Sequence, residues 1–178
     1  EPRLTVHYSV MTNQQGAQEA ADEYRNENAD FHQIVADMAN ISRKEAKDIN
    51  LGLSYGMGKE KLTKQLGISV EEAERLFEQY HARVPFVRGL RDSAARLAAN
   101  RGYITTLLGR KCRFNLYEPK FDRNTPYPYE KAIEVYGDKI KRAFTYKAMN
   151  RLIQGSAADM TKKAMLNLYR EGFLAHAQ

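Results

Sequence analysis

The chain has 178 residues, of which 43% are hydrophobic and 28% charged, and its formal net charge is +6. That length holds one ordinary domain with a real core or two small lobes. No apolar run approaches the roughly 18 residues of a membrane span, Glu1-Pro2-Arg3-Leu4-Thr5 do not read as a signal peptide, and the single cysteine, Cys112, excludes an internal disulfide and a cysteine-based zinc cluster.

Read in chain order, the sequence is mostly helical. Residues 17–26 and 30–40 carry helix formers, with Phe31, Ile34, Val35 and Met38 at helical spacing. Ser42 followed by Glu45 is a capping-box pattern, so a helix should begin at Arg43 and run to about Tyr55, where Gly56-Met57-Gly58 supplies a break. Ser69 and Glu72 repeat the pattern before 71–83, whose apolar stripe is Leu76, Phe77 and Tyr80. Pro85 is tolerated in a first turn and opens a helix to about Asn100. Tyr103-Ile104-Thr105-Thr106-Leu107-Leu108 is the one convincing strand, with a turn at Gly109-Arg110-Lys111 and a short return through Cys112-Arg113-Phe114. Residues 115–129 hold three prolines and read as a loop; from about Tyr129 to Arg170 the pattern is again helical, with a weak point near Gly155. The expected fold class is mainly α with a small β-hairpin.

The basic balance, with a pI near 9.3, suits a phosphate-bearing partner without identifying one. A sharper signal lies in residues 43–56. Arg43, Lys47, Leu51 and Tyr55 are spaced four apart, and each such step rotates about 40° past a full turn. The four therefore form one ridge presenting a guanidinium, an ammonium, an apolar side chain and a ring. A nucleoside triphosphate laid along it would meet two cations at a helix N-terminus for its phosphates, an apolar contact for its sugar and a ring near its base. An Arg-x3-Lys pair alone is more often a solvated helix face.

Several segments together resemble one family. Arg43, Lys47, Tyr55 and Gly56 match the Arg-x3-Lys-x3-(Phe/Tyr)-x3-Tyr-Gly fingers helix of the bacterial DNA polymerase I family (family A), phage members included. Glu1-Pro2-Arg3-Leu4 with His7 resembles the tail of that family's palm motif, Asp-Tyr-Ser-x-x-Glu-Leu-Arg. Asp30-Phe31-His32 resembles its Asp-x-His stretch. Thr106-Leu107-Leu108-Gly109-Arg110-Lys111 is similar to its Thr-Leu-x-Gly-Arg-Arg hairpin. Asn150-Arg151-Leu152-Ile153-Gln154-Gly155-Ser156-Ala157-Ala158-Asp159 is similar to Asn-x3-Gln-Gly-Thr-Ala-Ala-Asp. The matches come in family order and cover nearly the whole chain.

The resemblance implies a fingers subdomain with palm fragments of a right-hand polymerase: palm-derived 1–16, fingers 17–102, and 103–178 returning towards the palm. Arg43 and Lys47 would grip the incoming triphosphate, with Lys47 protonating the pyrophosphate leaving group, and His32 would contact the phosphates. Leu51 would meet the sugar, while Tyr55 and Gly56 would shape the pocket beside the nascent base pair. Glu1 would be the steric gate against a ribose 2′-hydroxyl. Asn150 and Gln154 would reach primer-template DNA in the minor groove, joined by Arg110 and Lys111 of the hairpin. His32 reads equally as a half-buried histidine, Asn150 and Gln154 as helix-packing polar groups, and the tyrosines of 117–136 as packing rather than base stacking.

The sequence departs from the family where Leu51 replaces the usual Phe or Tyr, which bears on sugar selection and resembles some phage members. Tyr146 stands where many relatives carry Arg. The two Mg2+ ions of the family's reaction are held by aspartates that fall outside 1–178, so this polypeptide alone is expected to bind nucleotide or DNA weakly without polymerising. Primer-template DNA and deoxynucleoside triphosphates are the implied partners, with no membrane, no oligomer and a cytoplasmic setting, consistent with a reduced thiol. Two alternatives remain: a phage-type single-subunit RNA polymerase, disfavoured by Glu1 and by Gln154-Gly155-Ser156-Ala157-Ala158-Asp159, and a non-catalytic nucleic-acid-binding module. Ribonucleotide incorporation would mark the first; labelling of Lys47 by any polyanion alike would mark the second.

Overall fold

The computed structural model describes residues 2–26, 30–121 and 124–173. Contacts divide the chain into two compact units, Pro2–Ser93 and the residues from Ala94 onward.

In the first unit, α1 (Pro2–Met11) packs with α2 (Ala17–Arg25), α3 (Phe31–Ala39) with α4 (Arg43–Ser54), and α5 (Lys59–Leu66) with α6 (Val70–Arg83). The unit closes with the first half of α7 (Pro85–Arg101). Both anticipated capping boxes form: Ser42 caps α4 and Ser69 caps α6, each with the glutamate three residues on bonding back to the cap's backbone. Each satisfies two amides that a helix start leaves unpaired. Val35, Ala46, Ile49, Leu53, Leu62, Ala73 and Leu90 are all nearly solvent-free, and the aromatic Tyr80 and Phe86 are buried with them. Neither α1 nor α5 is among the helices expected from the sequence, although Gly67 ends α5 in the left-handed conformation that favours glycine.

In the second unit, β1 (Tyr103–Thr105) pairs antiparallel with β2 (Lys111–Arg113), Ile104 facing Cys112. The anticipated strand thus stops three residues early. Thr106–Arg110 is taken up by the turn, closed by Thr106 N–H to the Arg110 carbonyl at 2.9 Å. The stretch read as a loop contains two strands, β3 (Leu116–Pro119) and β4 (Tyr127–Pro128), and β5 (Ile140–Arg142) completes a sheet of order β4-β3-β5. Proline suits β4 because that strand lies at the sheet edge.

The region read as one long helix is therefore interrupted. It comprises α8 (Tyr129–Tyr136), β5, a 3-10 turn (Thr145–Lys147) and α9 (Ala148–Arg170). Helical periodicity alone could not show that Gly137, at φ +72°, and Phe144, at φ +61°, turn the backbone left-handed between them. Gly155 is no weak point either; α9 runs through it. A Cβ there would lie 2.9 Å from Thr106 Cγ2 and 3.1 Å from an Arg110 nitrogen, so glycine lets the hairpin approach the helix closely. Beyond Asp159, α9 is exposed on all sides, including Met165, Leu166 and Tyr169.

Candidate nucleotide-binding site

The α4 ridge forms as its spacing requires. Ala46, Ile49, Asn50 and Leu53 are buried, whereas Arg43 and Lys47 are exposed and Leu51 and Tyr55 half-buried. The helix ends in a Schellman arrangement: Met57 N–H reaches the Gly52 carbonyl at 2.8 Å and Gly56 N–H that of Leu53 at 3.1 Å. Gly56 sits at φ +90°, a conformation that costs other residues strain. Its place after Tyr55 thus has a backbone reason apart from any contact with a base.

The N-terminal end of the ridge is joined to α3. Asp30 caps α3 through Oδ1, which accepts from the amides of His32 at 3.0 Å and Gln33 at 3.1 Å. Its Oδ2 accepts from Arg43 Nε at 2.7 Å. The Arg43 guanidinium, followed by the cap amides, holds the Asp30 carboxyl below the usual carboxylate range. Lys47 has no carboxylate partner among the described residues.

His32 is half-buried, with Nδ1 lying 3.1 Å from Asn50 Nδ2. Burial pushes its pKa down; Asp30 pulls it up, while Arg43 and Lys47 push it down again. The ring therefore senses both ridge cations. Glu1, the expected steric gate, lies outside the described residues.

In the second unit the hairpin and α9 form a latch. Arg110 Nε donates to Asp159 Oδ1 at 2.9 Å, and its Nη2 donates to the Gly155 carbonyl at 2.9 Å. Thr106 Oγ1 donates to Asp159 Oδ2 at 2.5 Å, and Leu107 N–H donates to Ser156 Oγ at 3.1 Å. Thr106 first, and Arg110 after it, hold the Asp159 carboxyl below its ordinary pKa. Gln154 is exposed and Asn150 half-exposed beside this latch. Lys111 lies over the Tyr103 ring, Nζ 4.8 Å from its centroid.

The family model for DNA polymerase family A matches residues 3–176. The chain belongs to DNA polymerase family A. It is similar to a DNA-directed DNA polymerase of Pseudomonas phage M6, 36% identical over 93% of this chain and 28% of the relative. It also resembles the DNA polymerase I of Geobacillus stearothermophilus, 35% identical over 78% of this chain and 14% of the relative. Among solved structures it is similar to the POL domain of Pol1 from M. smegmatis, in complex with DNA primer-template and dNTP. There the TM-score is 0.57 and the identity 32%, over 80% of this chain and 24% of that one. The chain thus spans under a third of the length of these family A relatives.

Asn50 and Tyr80 carry no role in the motif reading, and Thr106 and Asp159, though inside matched motifs, were given no bracing role there. Asn50 and Tyr80 stand behind His32, and Thr106 and Asp159 brace the hairpin. Asn50 did leave a trace, as a polar residue on the buried side of α4 with Ala46, Ile49 and Leu53, where an amide needs partners. The pairing of Arg110 with Asp159 spans 49 residues, and no local pattern announces it.

Proposed function

We propose that this chain is the nucleotide- and primer-template-binding part of a DNA-directed DNA polymerase. The observation that carries the reading is the α4 ridge: two exposed cations, an apolar contact and a ring on one side, with Ala46, Ile49, Asn50 and Leu53 buried on the other. Arg43 and Lys47 neutralise the triphosphate, and Arg43 is able to exchange its exposed aspartate partner for a phosphate. Lys47, as an ammonium with three rotatable donors, follows the leaving pyrophosphate and gives it a proton. Leu51 packs on the sugar; Tyr55 borders the nascent base pair. Asn150 and Gln154 meet the duplex in its minor groove, where acceptors are similar for all base pairs, and Lys111 adds a phosphate contact.

Two Mg2+ ions supply activation of the primer 3′-hydroxyl in this chemistry. No group of three His, Cys, Asp or Glu side chains converges among the described residues, so these residues do not fit a metal cradle. Their part is to bind, orient and donate. No helix among the described residues is long and apolar enough to cross a membrane.

The test is Lys47→Ala in a full-length form of the polymerase. Turnover should fall by about 10²- to 10³-fold, the scale of losing one transition-state charge partner, with duplex affinity within about twofold. Equal losses in turnover and DNA affinity would place Lys47 on DNA rather than on the triphosphate.

A further inference from the structure

Behind the ridge, α3, α4 and α6 meet at one buried amide. Asn50 on α4 is 5% exposed and Tyr80 on α6 is 3% exposed. Tyr80 Oη donates to Asn50 Oδ1 at 3.0 Å and also lies 3.0 Å from Ser54 Oγ. With its oxygen engaged there, the amide turns its nitrogen to His32 on α3, whose Nδ1 is 3.1 Å away. An N–H donor facing Nδ1 requires a lone pair on that atom, which leaves the ring hydrogen on Nε2.

We infer that Asn50, backed by Tyr80, is a positioning residue that fixes His32 in the Nε2–H tautomer, giving the ridge a neutral hydrogen-bond donor for a triphosphate oxygen. The inference rests on the reading of α4 as the triphosphate ridge and adds what His32 contributes to it. Arg43 and Lys47 already bring two positive charges; a third on His32 would repel both before any ligand arrived. Among the described residues, the charged groups acting on the ring are Asp30 at its own helix start and Arg43 and Lys47 on α4, with Tyr80 on α6 reaching it through the amide. Asp30 favours the imidazolium and the two cations oppose it. An uncharged amide leaves that balance alone and selects between the two neutral forms. The hydroxyl of Tyr80 has a second use: without it, the amide could rotate and offer oxygen to Nδ1, selecting the other form.

The experiment labels histidine with 15N in the complete chain and reads the His32 tautomer by long-range 1H–15N correlation, alongside dNTP kinetics of a full-length form. The wild type should show a neutral ring with its hydrogen on Nε2. Asn50→Leu should mix the tautomers and raise the KM for dNTP by about tenfold, with a much smaller change in kcat. Tyr80→Phe should do the same more weakly while keeping the ring packed. Asn50→Asp should hold the imidazolium to higher pH, so that KM becomes lower on the acid side. An Nδ1–H ring in the wild type, or an unchanged tautomer in Asn50→Leu, overturns the inference. A loss confined to kcat and folding stability does so too, since it marks a merely structural amide. If the tautomer behaves as expected but neither Asn50→Leu nor Lys47→Ala alters dNTP kinetics, the ridge reading itself has failed.

Discussion

Arg43 and Arg110 are both motif guanidiniums paired with an aspartate, yet the two pairs differ in what they leave free. Arg43 meets Asp30 where the side chains are 56% and 41% exposed. Arg110 meets Asp159 where they are 48% and 8% exposed. An exposed pair is screened and contributes little, so a phosphate can replace the carboxylate at small cost. A carboxylate that is nearly buried cannot be left without its cation and hydroxyl, because the cost of an unpaired buried charge is large. Hence Arg43 remains available to a ligand, while Arg110 is committed to holding the hairpin on α9. A motif cation therefore becomes a ligand group or a brace according to the burial of the acid that claims it.

The sharpest way to break that contrast is to remove each arginine in turn. Arg110→Ala should lower Tm by about 5 °C, since Asp159 keeps its burial and loses its cation. Arg43→Ala should move Tm by no more than about 1 °C. Thermal melts of the two variants, with duplex-binding titrations beside them, decide the matter. Loss of duplex affinity in Arg110→Ala at unchanged Tm would make Arg110 a DNA ligand and dissolve the comparison.

A second, smaller effect separates the two regions by pH. His81 on α6 packs its ring against Phe77, with centroids 4.4 Å apart, and both of its nitrogens are buried without a partner. Burial, then Arg88 and Arg91, push its pKa down from 6.5 to about 4 against the pull of Asp92. Between those values the unfolded chain binds more proton than the folded one, so stability falls as pH falls through that window. Asp159 has a depressed pKa, so its contribution is present above the ordinary carboxylate range and is lost only as pH drops through the folded value. Tm followed from pH 7 to pH 4 should therefore decline early in the wild type and less in His81→Phe, where of the histidines His32 and His81 only His32 keeps a lowered pKa. The same early decline in both proteins would mean that the ring does not govern acid sensitivity.

The same contrast marks what the sequence could reveal. The α4 ridge was legible because its information is local: a capping box sets the helix start, four-residue spacing sets the face, and a glycine at φ +90° sets the end. The latch was not, because Thr106 and Asp159 are brought together across 53 residues by packing that no window of sequence contains. The break between α8 and α9 failed for another reason. Residues 129–170 read as helical only by passing over Gly137, a residue suited to end α8, and the interruption is completed by β5 pairing with β3, which tertiary context imposes on weak local preference. Gly155 misled in the opposite sense, since its lack of a side chain serves an approach between elements rather than a helix end. Asn50 lies between these cases: its place on a buried face was visible, its partners on α3 and α6 were not.

The gentlest test concerns the ridge alone and asks whether its middle is built to receive something. Leu51 is half-buried between Lys47 and Tyr55, and within the proposed function it packs on the sugar. Leucine offers branched apolar contact but no flat face and no hydroxyl. Tyr in its place would bring both, and a hydroxyl there would treat a sugar with and without a 3′-hydroxyl differently. Leu51→Tyr in a full-length form should shift the ratio of kcat/KM for deoxy against dideoxy substrates by about fivefold. Arg43 and Lys47 stay in place, so triphosphate binding as such should change less than the ratio does. If the ratio is unmoved, the side chain does not touch the sugar, and the nucleotide must lie along α4 in some register other than the four-residue ridge.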